Sequence, residues 1–400
     1  MSDLVRPGRP LRWDLFCRVV DNLGDAAIMW RLSRQLALEH GCSVFLFIDQ
    51  PGVLQRLLPG AAAGGTIDGV TIDGVTLQGM PDDAAGDETA QGGPADVVVS
   101  GLHADLPTGY RRRMLRRPPA WINLEYLSAE SWIDGFHGLP SPQPDGLTQY
   151  FFYPGFTPGS GGLLRESDLF DRRDAFGADP ENARRFLADL GVERRPDELL
   201  ASLLCYPDAP LQSMASAMAG AGTRLQVVLP HGAAGPAVER AALEAAGGGH
   251  IRFTPVPFLS QYDYDFLLWS CDVNFVRGED SWIRALWAGK PFIWQIYKQS
   301  DAVHLKKLEA FLRLLGPPDD DAATALAQAC RWWNQAPGAG AQGALAGLLS
   351  RRMEASHRVA GLVRRVCDID LASRLITFAD TIRRNSAGPS VLPGTGRVQL

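Results

Sequence analysis

One stretch constrains the fold of this chain more than any other. From Cys271 to Tyr297 it reads CDVNFVRGEDSWIRALWAGKPFIWQIY. The run at 273–276 is short, apolar and rich in β-branched residues, and the polar loop at 277–281 interrupts it. After the loop, apolar residues recur at helical spacing until a glycine and a proline stop the pattern, and a second apolar run follows at 292–296. The stretch predicts strand, loop, helix and strand, which is one α/β unit with a right-handed crossover.

The loop inside this unit carries charged side chains where a ligand is expected. In open α/β sheets ligands bind beyond the carboxyl ends of the strands, and the free amides at the next helix start favour anions. Arg277 and Ser281 therefore lie where a nucleotide diphosphate would be held. Glu279 and Asp280 would repel a phosphate, so they are expected to face sugar or base hydroxyl groups. The same residues also fit an ordinary capped surface loop with a charged tip.

Strands alternate with helices in two successive sets, which predicts the architecture. Four hundred residues with 46% hydrophobic content are enough for two domains. The apolar runs read as strands lie near 13–20, 44–48, 96–100, 121–124, 199–205, 225–229 and 253–259. The fold class is α/β, with two Rossmann-like domains facing across a cleft. The boundaries are placed at 12–160 for an N-terminal domain, 161–365 for a C-terminal domain, 366–385 for a helix that could return to the first domain, and 386–400 for a disordered tail.

Three other segments give weaker signals. The stretch at 138–162 is rich in proline and glycine and is interpreted as a boundary. The pentapeptide TIDGV occurs at 66–70 and again at 71–75, either as a hairpin or as a duplication in a tolerant loop. Helices near 302–315, 322–334 and 341–382 are predicted to close the chain.

Composition excludes several classes of protein. The net charge of −6 argues against a general nucleic-acid binder. No apolar run approaches the ~20 residues of a membrane span, and the amino terminus lacks the apolar centre of a signal peptide, so a soluble, cytoplasmic protein is expected. The six cysteines form no CxxC pair and mostly lie in apolar runs, which favours buried free thiols over a disulfide framework or zinc site.

Two acidic residues follow the first strand. Asp21 and Asp25 flank a glycine-containing turn, so both can point into the cleft, although Asp25 also fits an N-cap position. The sequence has no HExxH, Walker lysine or Ser-His-Asp order, and its seven histidines do not cluster at metal-ligand spacing. Paired carboxylates without a metal suit a general base or a clamp for a cationic acceptor. The arginine cluster at 111–117 fits either a solvated helix end or a docking patch for an acidic partner.

Five stretches together resemble one enzyme family. They are DNLGDAAIMWRLSRQL (21–36), WINLEYLSAESWIDGFHGLPSPQP (121–144), YFFYPGFTPGSGGLLRE (150–166), PFLSQYDYDFLLWSCDVNFVRGEDSWIRALWAGKPFIWQIY (257–297) and AVHLKKLEAFL (302–312). The chain resembles the elongation factor P arginine rhamnosyltransferases, the EarP family, over about residues 12–380. It departs from the family pattern at 26–28, which reads Ala-Ala-Ile, and at Gln295 and Lys298.

The resemblance implies a GT-B glycosyltransferase that inverts the sugar it transfers and needs no metal or other cofactor. Its donor would be dTDP-β-L-rhamnose and its acceptor a loop arginine of elongation factor P, which the modification activates for rescue of ribosomes stalled at polyproline. Neither a nucleic-acid nor a membrane partner is implied. The carry-over makes Asp25 the catalytic carboxylate, with Asp21 beside it and Glu279 as the second essential acid. The residues implied for donor binding are Tyr206, Phe258, Ser260, Gln261, Arg277, Gly278, Asp280, Ser281 and Tyr297.

The residues leave two alternatives open. One is a GT-B transferase or epimerase acting on another nucleotide sugar. The other is a non-catalytic nucleotide-binding module, in which Asp21, Asp25 and Glu279 cap helices and Arg277 pairs with one of them.

Overall fold

The chain folds around two separate β-sheets. The structure is a computed structural model and describes residues 9–20, 23–58, 68–81, 95–232, 235–245, 249–338 and 340–386. The strands of the first sheet are β1 (Arg12–Cys17), β2 (Ser43–Ile48), β3 (Thr71–Ile72), β4 (Val75–Gly79), β5 (Val97–Gly101), β6 (Ala120–Leu124), β7 (Pro140–Pro142) and β8 (Thr148–Phe152). Those of the second sheet are β9 (Glu198–Leu203), β10 (Arg224–Pro230), β11 (Ile251–Val256), β12 (Val273–Arg277) and β13 (Phe292–Gln295).

Helices cover both sheets and close the chain. The first half contains α1 (Leu23–Leu38), α2 (Pro51–Leu57), α3 (Thr108–Arg116) and α4 (Ile133–Phe136). The second half contains α5 (Leu169–Gly177), α6 (Pro180–Asp189), α7 (Leu211–Ala221), α8 (Pro236–Ala245), α9 (Gln261–Ser270) and α10 (Asp280–Ala288). The closing helices are α11 (Val303–Leu315), α12 (Asp321–Trp333), α13 (Ala341–Ser350), α14 (Arg352–Val366) and α15 (Leu371–Ser386).

Both sheets have the doubly wound order that creates a ligand crevice. The first runs β3-β4-β2-β1-β5-β6-β8-β7, with parallel pairing except at the outer strands β3 and β7. The second runs β11-β10-β9-β12-β13 and is parallel throughout. Winding reverses between β1 and β5 and between β9 and β12, and at such a point the loops leaving the carboxyl ends diverge and open a crevice. The predicted α/β class, with two Rossmann-like domains in the GT-B arrangement, is confirmed.

The central unit folds as its pattern predicts. β12, α10 and β13 follow one another, and the two strands pair in parallel with Asn274 opposite Phe292. Gly289 ends the helix in the left-handed region, at φ 69°, which glycine adopts without a steric penalty. Trp282 of α10 stacks on Trp294 of β13 with ring centroids 3.7 Å apart. Because this contact is fully buried, the loop before α10 is held on a rigid base.

The chain crosses between the sheets at a short pairing of two segments. Leu163 forms an isolated parallel bridge with Asp370, and its backbone N–H donates to Ile369 O at 2.8 Å. The crossing follows β7 and β8, which lie within the proline- and glycine-rich stretch at 138–162. After the crossing, α15 packs against the core of the first sheet through Leu371, Leu375, Ala379 and Ile382.

The prediction of one helix over 341–382 is wrong. The segment forms α13, α14 and α15, with breaks at Arg351 and at 367–370. The second break allows Asp370 to reach the crossing, where its Oδ2 accepts from Ser373 N at 2.8 Å and so caps α15. Helical periodicity cannot reveal this break because its cause is a segment about 200 residues away.

Several smaller expectations can be compared with the structure. The second TIDGV copy forms the β3–β4 hairpin, turning at Asp73 and Gly74 with φ of 48° and 78°. Residues 66–67 of the first copy lie outside the described residues. The predicted tail also lies outside the described residues, except Ser386, which ends α15.

All six cysteines are free, four of them buried and Cys42 and Cys367 half-buried. In the described part of the chain, no helix has both the length and the apolar character needed to cross a membrane.

Candidate active site

Two of the cavities between the domains lie at the carboxyl ends of both sheets. The larger has a volume of about 430 Å³ and is lined by Asp25, Glu125, Trp132 and Tyr153 from the first half and by Glu279 and Tyr297 from the second. The smaller is about 100 Å³ and is lined mainly by second-half residues, with Leu23, Gly24, Ala27 and Leu57 from the first half. We call them the large and the small cavity. Arg277 lines the small cavity and Gly278 the large one, so the cavities meet at the loop before α10.

Asp25 is a buried residue of the large cavity. It lies in the first turn of α1 and is 2% exposed. Its Oδ2 accepts from the backbone N–H of Val20 at 2.8 Å, which ties the end of the preceding loop to the helix. α1 begins at Leu23, so Asp25 lies inside the helix and not at the N-cap. Asp21, the other predicted carboxylate, lies outside the described residues.

Glu279 approaches the same cavity from the second domain. It lies between β12 and α10, and its Oε2 accepts from the backbone N–H of Leu127 at 2.9 Å. Leu127 follows β6 of the first sheet, so this hydrogen bond crosses the domain interface. The structure thus brings Asp25 and Glu279, predicted from segments some 250 residues apart, into one cavity.

Glu125 is a further acidic residue of the large cavity and was not predicted from the sequence. Glu125 directly follows β6 and receives a hydrogen bond from Asn123 Nδ2 at 2.7 Å. His103 Nε2 lies 3.2 Å from Glu125 Oε2. Leu102 and His103 have φ of 53° and 64°, a strained conformation for residues other than glycine. The rule that selected Asp25, a polar residue after a parallel strand, also selects Glu125, whereas the strain at His103 has no signature in the sequence.

Six predicted donor-binding residues line the small cavity together. They are Phe258, Ser260, Gln261, Arg277, Asp280 and Ser281. Ser260 caps α9 by accepting from Asp263 N at 3.1 Å. Gln261 Nε2 donates to Ala27 O of the first domain at 3.4 Å, and Phe258 packs against the core of the first sheet. The wall of the small cavity is therefore part of the domain interface.

Arg277, Tyr206 and Tyr297 lie together where the cavities meet, although Tyr206 itself is not among the lining residues of either cavity. The Arg277 guanidinium lies 4.8 Å above the ring of Tyr206, a cation–π geometry. The ring of Tyr206 lies 5.7 Å from that of Tyr297, which is 48% exposed and lines the large cavity with Gly278. The three side chains offer a cation and two aromatic faces, the chemistry that suits a diphosphate and a base.

Two predicted donor residues have side chains occupied within the protein. Ser281 Oγ accepts from Arg277 N at 3.1 Å and donates to Arg277 O, closing the loop. The Asp280 carboxylate lies 2.6 Å from Arg31 Nη1 and 3.2 Å from Arg284 Nε. Burial alone would raise the pKa of Asp280, but attraction to Arg284 and Arg31 outweighs it and the pKa is lowered. Asp280 therefore faces two guanidinium groups and not the sugar or base hydroxyls predicted for it, and a direct role in donor binding stays a prediction.

The departures from the family pattern also lie at the site. Gln295 Oε1 accepts from Tyr206 N at 2.8 Å, and its Nε2 donates to Asp208 Oδ1 at 3.0 Å. Lys298 forms an ion pair with the same Asp208. These two departures therefore hold the turn that carries Tyr206. At the third departure, Ala27 lines the small cavity and Ile28 the large one.

The arginine cluster lies on α3 and just beyond its end. Arg111 pairs with Asp145 at 2.7 Å, and Arg117 pairs with Asp96 at 2.8 Å. Arg113 lies 4.9 Å over the ring of Tyr110. The docking interpretation of this cluster stays a prediction. Among the described residues, no group of three or more His, Cys, Asp or Glu side chains is placed to hold a metal ion.

Comparisons with known proteins identify a family. Residues 13–380 match the family model described as Elongation-Factor P (EF-P) rhamnosyltransferase EarP. A protein-arginine rhamnosyltransferase of Pseudomonas putida is 44% identical over 332 residues, covering 80% of this chain and 86% of its own. One from Pseudomonas aeruginosa is 42% identical over 386 residues, covering 92% and 98%. A solved structure described as "Structural basis for EarP-mediated arginine glycosylation of translation elongation factor EF-P" matches with a TM-score of 0.60 and 29% identity, covering 92% of this chain and 99% of the other.

Proposed function

The chain belongs to the EarP family of protein-arginine rhamnosyltransferases, and on that premise we propose that it moves L-rhamnose from dTDP-β-L-rhamnose to a loop arginine of elongation factor P. One observation supports the roles that we assign to the acidic residues and to Arg277. Asp25 from the first domain and Glu279 from the second line one cavity, and Arg277 lies in the adjoining one. Acidic groups that suit a guanidinium thus lie beside a cation that suits a diphosphate.

The acceptor chemistry requires carboxylates. A guanidinium keeps its proton above pH ~12, and its delocalised electrons make it a poor nucleophile. Asp25 and Glu279 hold the fork of the acceptor arginine and localise its charge, with Glu125 on the same cavity wall. Asp25 accepts the proton that the attacking nitrogen loses. The assignment is supported by the burial of Asp25, which lines the cavity and is 2% exposed, so that its carboxylate is shielded from water.

The donor chemistry requires compensation of negative charge. The nitrogen electron pair forms a bond to C1 of the sugar while the bond from C1 to the diphosphate oxygen breaks, and dTDP leaves with that electron pair. Single displacement with acceptor and leaving group on opposite faces inverts C1, and two facing domains supply this geometry by positioning. Arg277 and the amino end of α10 offset the charge on the leaving diphosphate, so we propose that no metal is needed.

Intact-mass spectrometry tests the proposal directly. Elongation factor P incubated with the enzyme and dTDP-rhamnose should gain the mass of one deoxyhexosyl group. A factor whose loop arginine is replaced by lysine should gain none, and UDP-glucose should not substitute for the donor. Transfer with another nucleotide sugar only would favour the broader GT-B transferase. Thermal stabilisation by dTDP without any transfer would favour a non-catalytic nucleotide-binding module.

A further inference from the structure

A network of five charged residues, four of them buried and Asp280 partly buried, crosses the domain interface beside the two cavities. Its members are Arg31, Glu166, Asp265, Asp280 and Arg284, and we call it the inter-domain ion network. Arg31 binds Glu166 through two parallel hydrogen bonds, Nε to Oε1 and Nη2 to Oε2, each 2.7 Å long. Its third nitrogen, Nη1, lies 2.6 Å from Asp280 Oδ1. Arg31 therefore joins two acidic residues that belong to different parts of the chain.

The second half of the network lies entirely in the second domain. Arg284 binds Asp280 at 3.2 Å and Asp265 at 2.8 Å. Arg31, Arg284 and Asp265 are 2%, 3% and 1% exposed, so their charges are compensated within the protein. Arg172 adds a third positive charge 3.7 Å from Asp265 Oδ2. Removal of Arg31 would leave the buried Glu166 carboxylate without the guanidinium that binds it at two points.

The network connects the segments that carry the reacting groups. Arg31 lies on α1, the helix whose first turn holds Asp25. Asp280 directly follows Glu279 and begins α10, which ends the loop of Arg277. Glu166 lies three residues after Leu163, where the chain crosses between the domains. Gln35 of α1 also reaches this crossing, since its Nε2 donates to Arg165 O at 2.7 Å and to Asp370 Oδ1 at 3.1 Å.

We propose that Arg31 is a positioning residue of the transfer reaction, fixing α1 with Asp25 against the Arg277–Ser281 loop with Glu279. This inference rests on the proposed function, because it assigns Arg31 a task in the same reaction. Arg31 itself contacts neither substrate and acts through the place it gives to the two carboxylates. A misplacement of ~1 Å between reacting groups can cost about 100-fold in rate. The relative position of α1 and the Arg277–Ser281 loop therefore matters more for the reaction than the stability that Arg31 adds to the fold.

The chain offers a matched control for a purely stabilising role. Arg12 and Asp14 form another buried pair, with Nε to Oδ1 at 2.7 Å and Nη2 to Oδ2 at 3.1 Å. Arg12 is 6% exposed and begins β1, at the end of the strand remote from the cavities. Both arginines therefore lose a two-point contact with a buried carboxylate when replaced by methionine. Of these two arginines, only Arg31 joins the two domains.

The experiment compares R31M with R12M at a temperature where both are folded. R31M should lower kcat by about 100-fold, with the KM for dTDP-rhamnose changed by less than about threefold. R12M should lower Tm without changing kcat. R31K keeps the positive charge but replaces the two-point guanidinium contact by a single ammonium group, and it should lower kcat by about tenfold. This variant provides the test if R31M does not fold.

Hydrogen exchange gives a second readout that needs neither donor nor acceptor. In R31M, peptides covering 23–30 and 278–284 should exchange about tenfold faster than in the wild type, while R12M leaves them unchanged. If the wild-type protein transfers no rhamnose to elongation factor P, the proposed function fails and with it the task of Arg31 in the reaction. The exchange comparison then tests only whether Arg31 fixes α1 against the Arg277–Ser281 loop. R31M that matched R12M in both kcat and exchange would show that the network only stabilises the fold.

Discussion

Three neighbouring carboxylates of this site have different surroundings, and those surroundings divide their tasks. Asp280 is held by Arg31 and Arg284, which lower its pKa and compensate its charge, so it is a poor proton acceptor. Asp25 accepts from the backbone N–H of Val20 and Glu279 from that of Leu127, and both residues line the large cavity, whereas Asp280 lines the small one. Asp25 and Glu279 are therefore the stronger candidates for contact with a cationic acceptor.

Replacement of Asp25 should separate catalysis from donor binding. D25N and D25A should lower kcat by about 100- to 10,000-fold, the usual cost of losing a positioned base. Affinity for dTDP should stay near the wild-type value, because Arg277 and the small cavity are untouched. Rates from intact-mass time courses and dTDP calorimetry measure the two effects, with D174N on the exposed face of α5 as control. Near-normal turnover of D25N would remove Asp25 from the mechanism.

Replacement of Arg277 should have the opposite signature. R277M removes a charge-assisted contact to the diphosphate and should weaken dTDP binding by ~1.5–3 kcal/mol, or roughly 10- to 150-fold. Y297F loses one hydroxyl contact and should cost less, about 0.5–1.5 kcal/mol. Calorimetry with dTDP and separately with elongation factor P tests both variants. Weaker binding of the protein partner with unchanged dTDP affinity would reverse the roles assigned to the two domains.

At the scale of elements, the sequence pattern predicted those helices and strands whose signals all lie within a short stretch of the chain. The unit β12–α10–β13 has its strand, capping glycine and apolar helix positions within one window, so its sequence is sufficient to predict it. The break between α14 and α15 depends on Leu163, a distant residue, and was missed. The pairing of Arg31 with Asp280 spans 249 positions and depends on domain packing, which no periodicity encodes.

Gly162 at the domain crossing should not tolerate a side chain. Its φ is 81°, and a Cβ there would lie 2.3 Å from Ile369 O. G162A should destabilise the protein by more than the ~1–2 kcal/mol that the left-handed region costs alone, because the backbone must also shift. G177A in α5 has open space and an ordinary φ, and should be neutral or slightly stabilising. Urea unfolding of both variants checks the difference, and equal stability would show that the crossing can relax.

Because of Glu166, the free energy of unfolding should depend on pH in the acidic range. Burial alone would raise its pKa, but Arg31 and Arg284 outweigh it and lower the pKa below its ordinary 4.5. A lowered pKa means that its stabilisation is complete above about pH 4.5 and declines as the pH falls further. E166Q should lower the free energy of unfolding by up to about 3 kcal/mol at pH 7, since Arg31 loses one of its two charged partners and keeps Asp280. Urea unfolding at pH 3.5 should show a smaller difference in the free energy of unfolding between E166Q and the wild type. A gap independent of pH would show that Glu166 is not ionised in the folded protein.

At the scale of the whole molecule, the site exists only where the two domains meet. Asp25 was predicted from the turn after the first strand, and nine donor residues were predicted from the second half, six of which line the small cavity. Each set lies at the carboxyl edge of its own sheet, which a general rule for α/β folds anticipates. Glu125 follows β6 and could have been selected by the same rule. The inter-domain ion network could not, because it forms only where residues of the two domains meet.

Transfer should survive removal of divalent cations. The leaving diphosphate gains negative charge, and the second domain offers Arg277 and the amino end of α10, while Lys307 lines the large cavity nearby. Excess EDTA should therefore leave kcat within about twofold of its value in magnesium, whereas a metal-dependent transferase would lose several kcal/mol of transition-state stabilisation. The measurement is the rate of mass gain of elongation factor P in EDTA and after magnesium is added back. R277M in EDTA is the informative companion, since added magnesium should not restore its donor affinity if the guanidinium itself carries the charge compensation. Activity that collapses in EDTA and returns with magnesium would show that a metal ion completes the charge balance between the two domains.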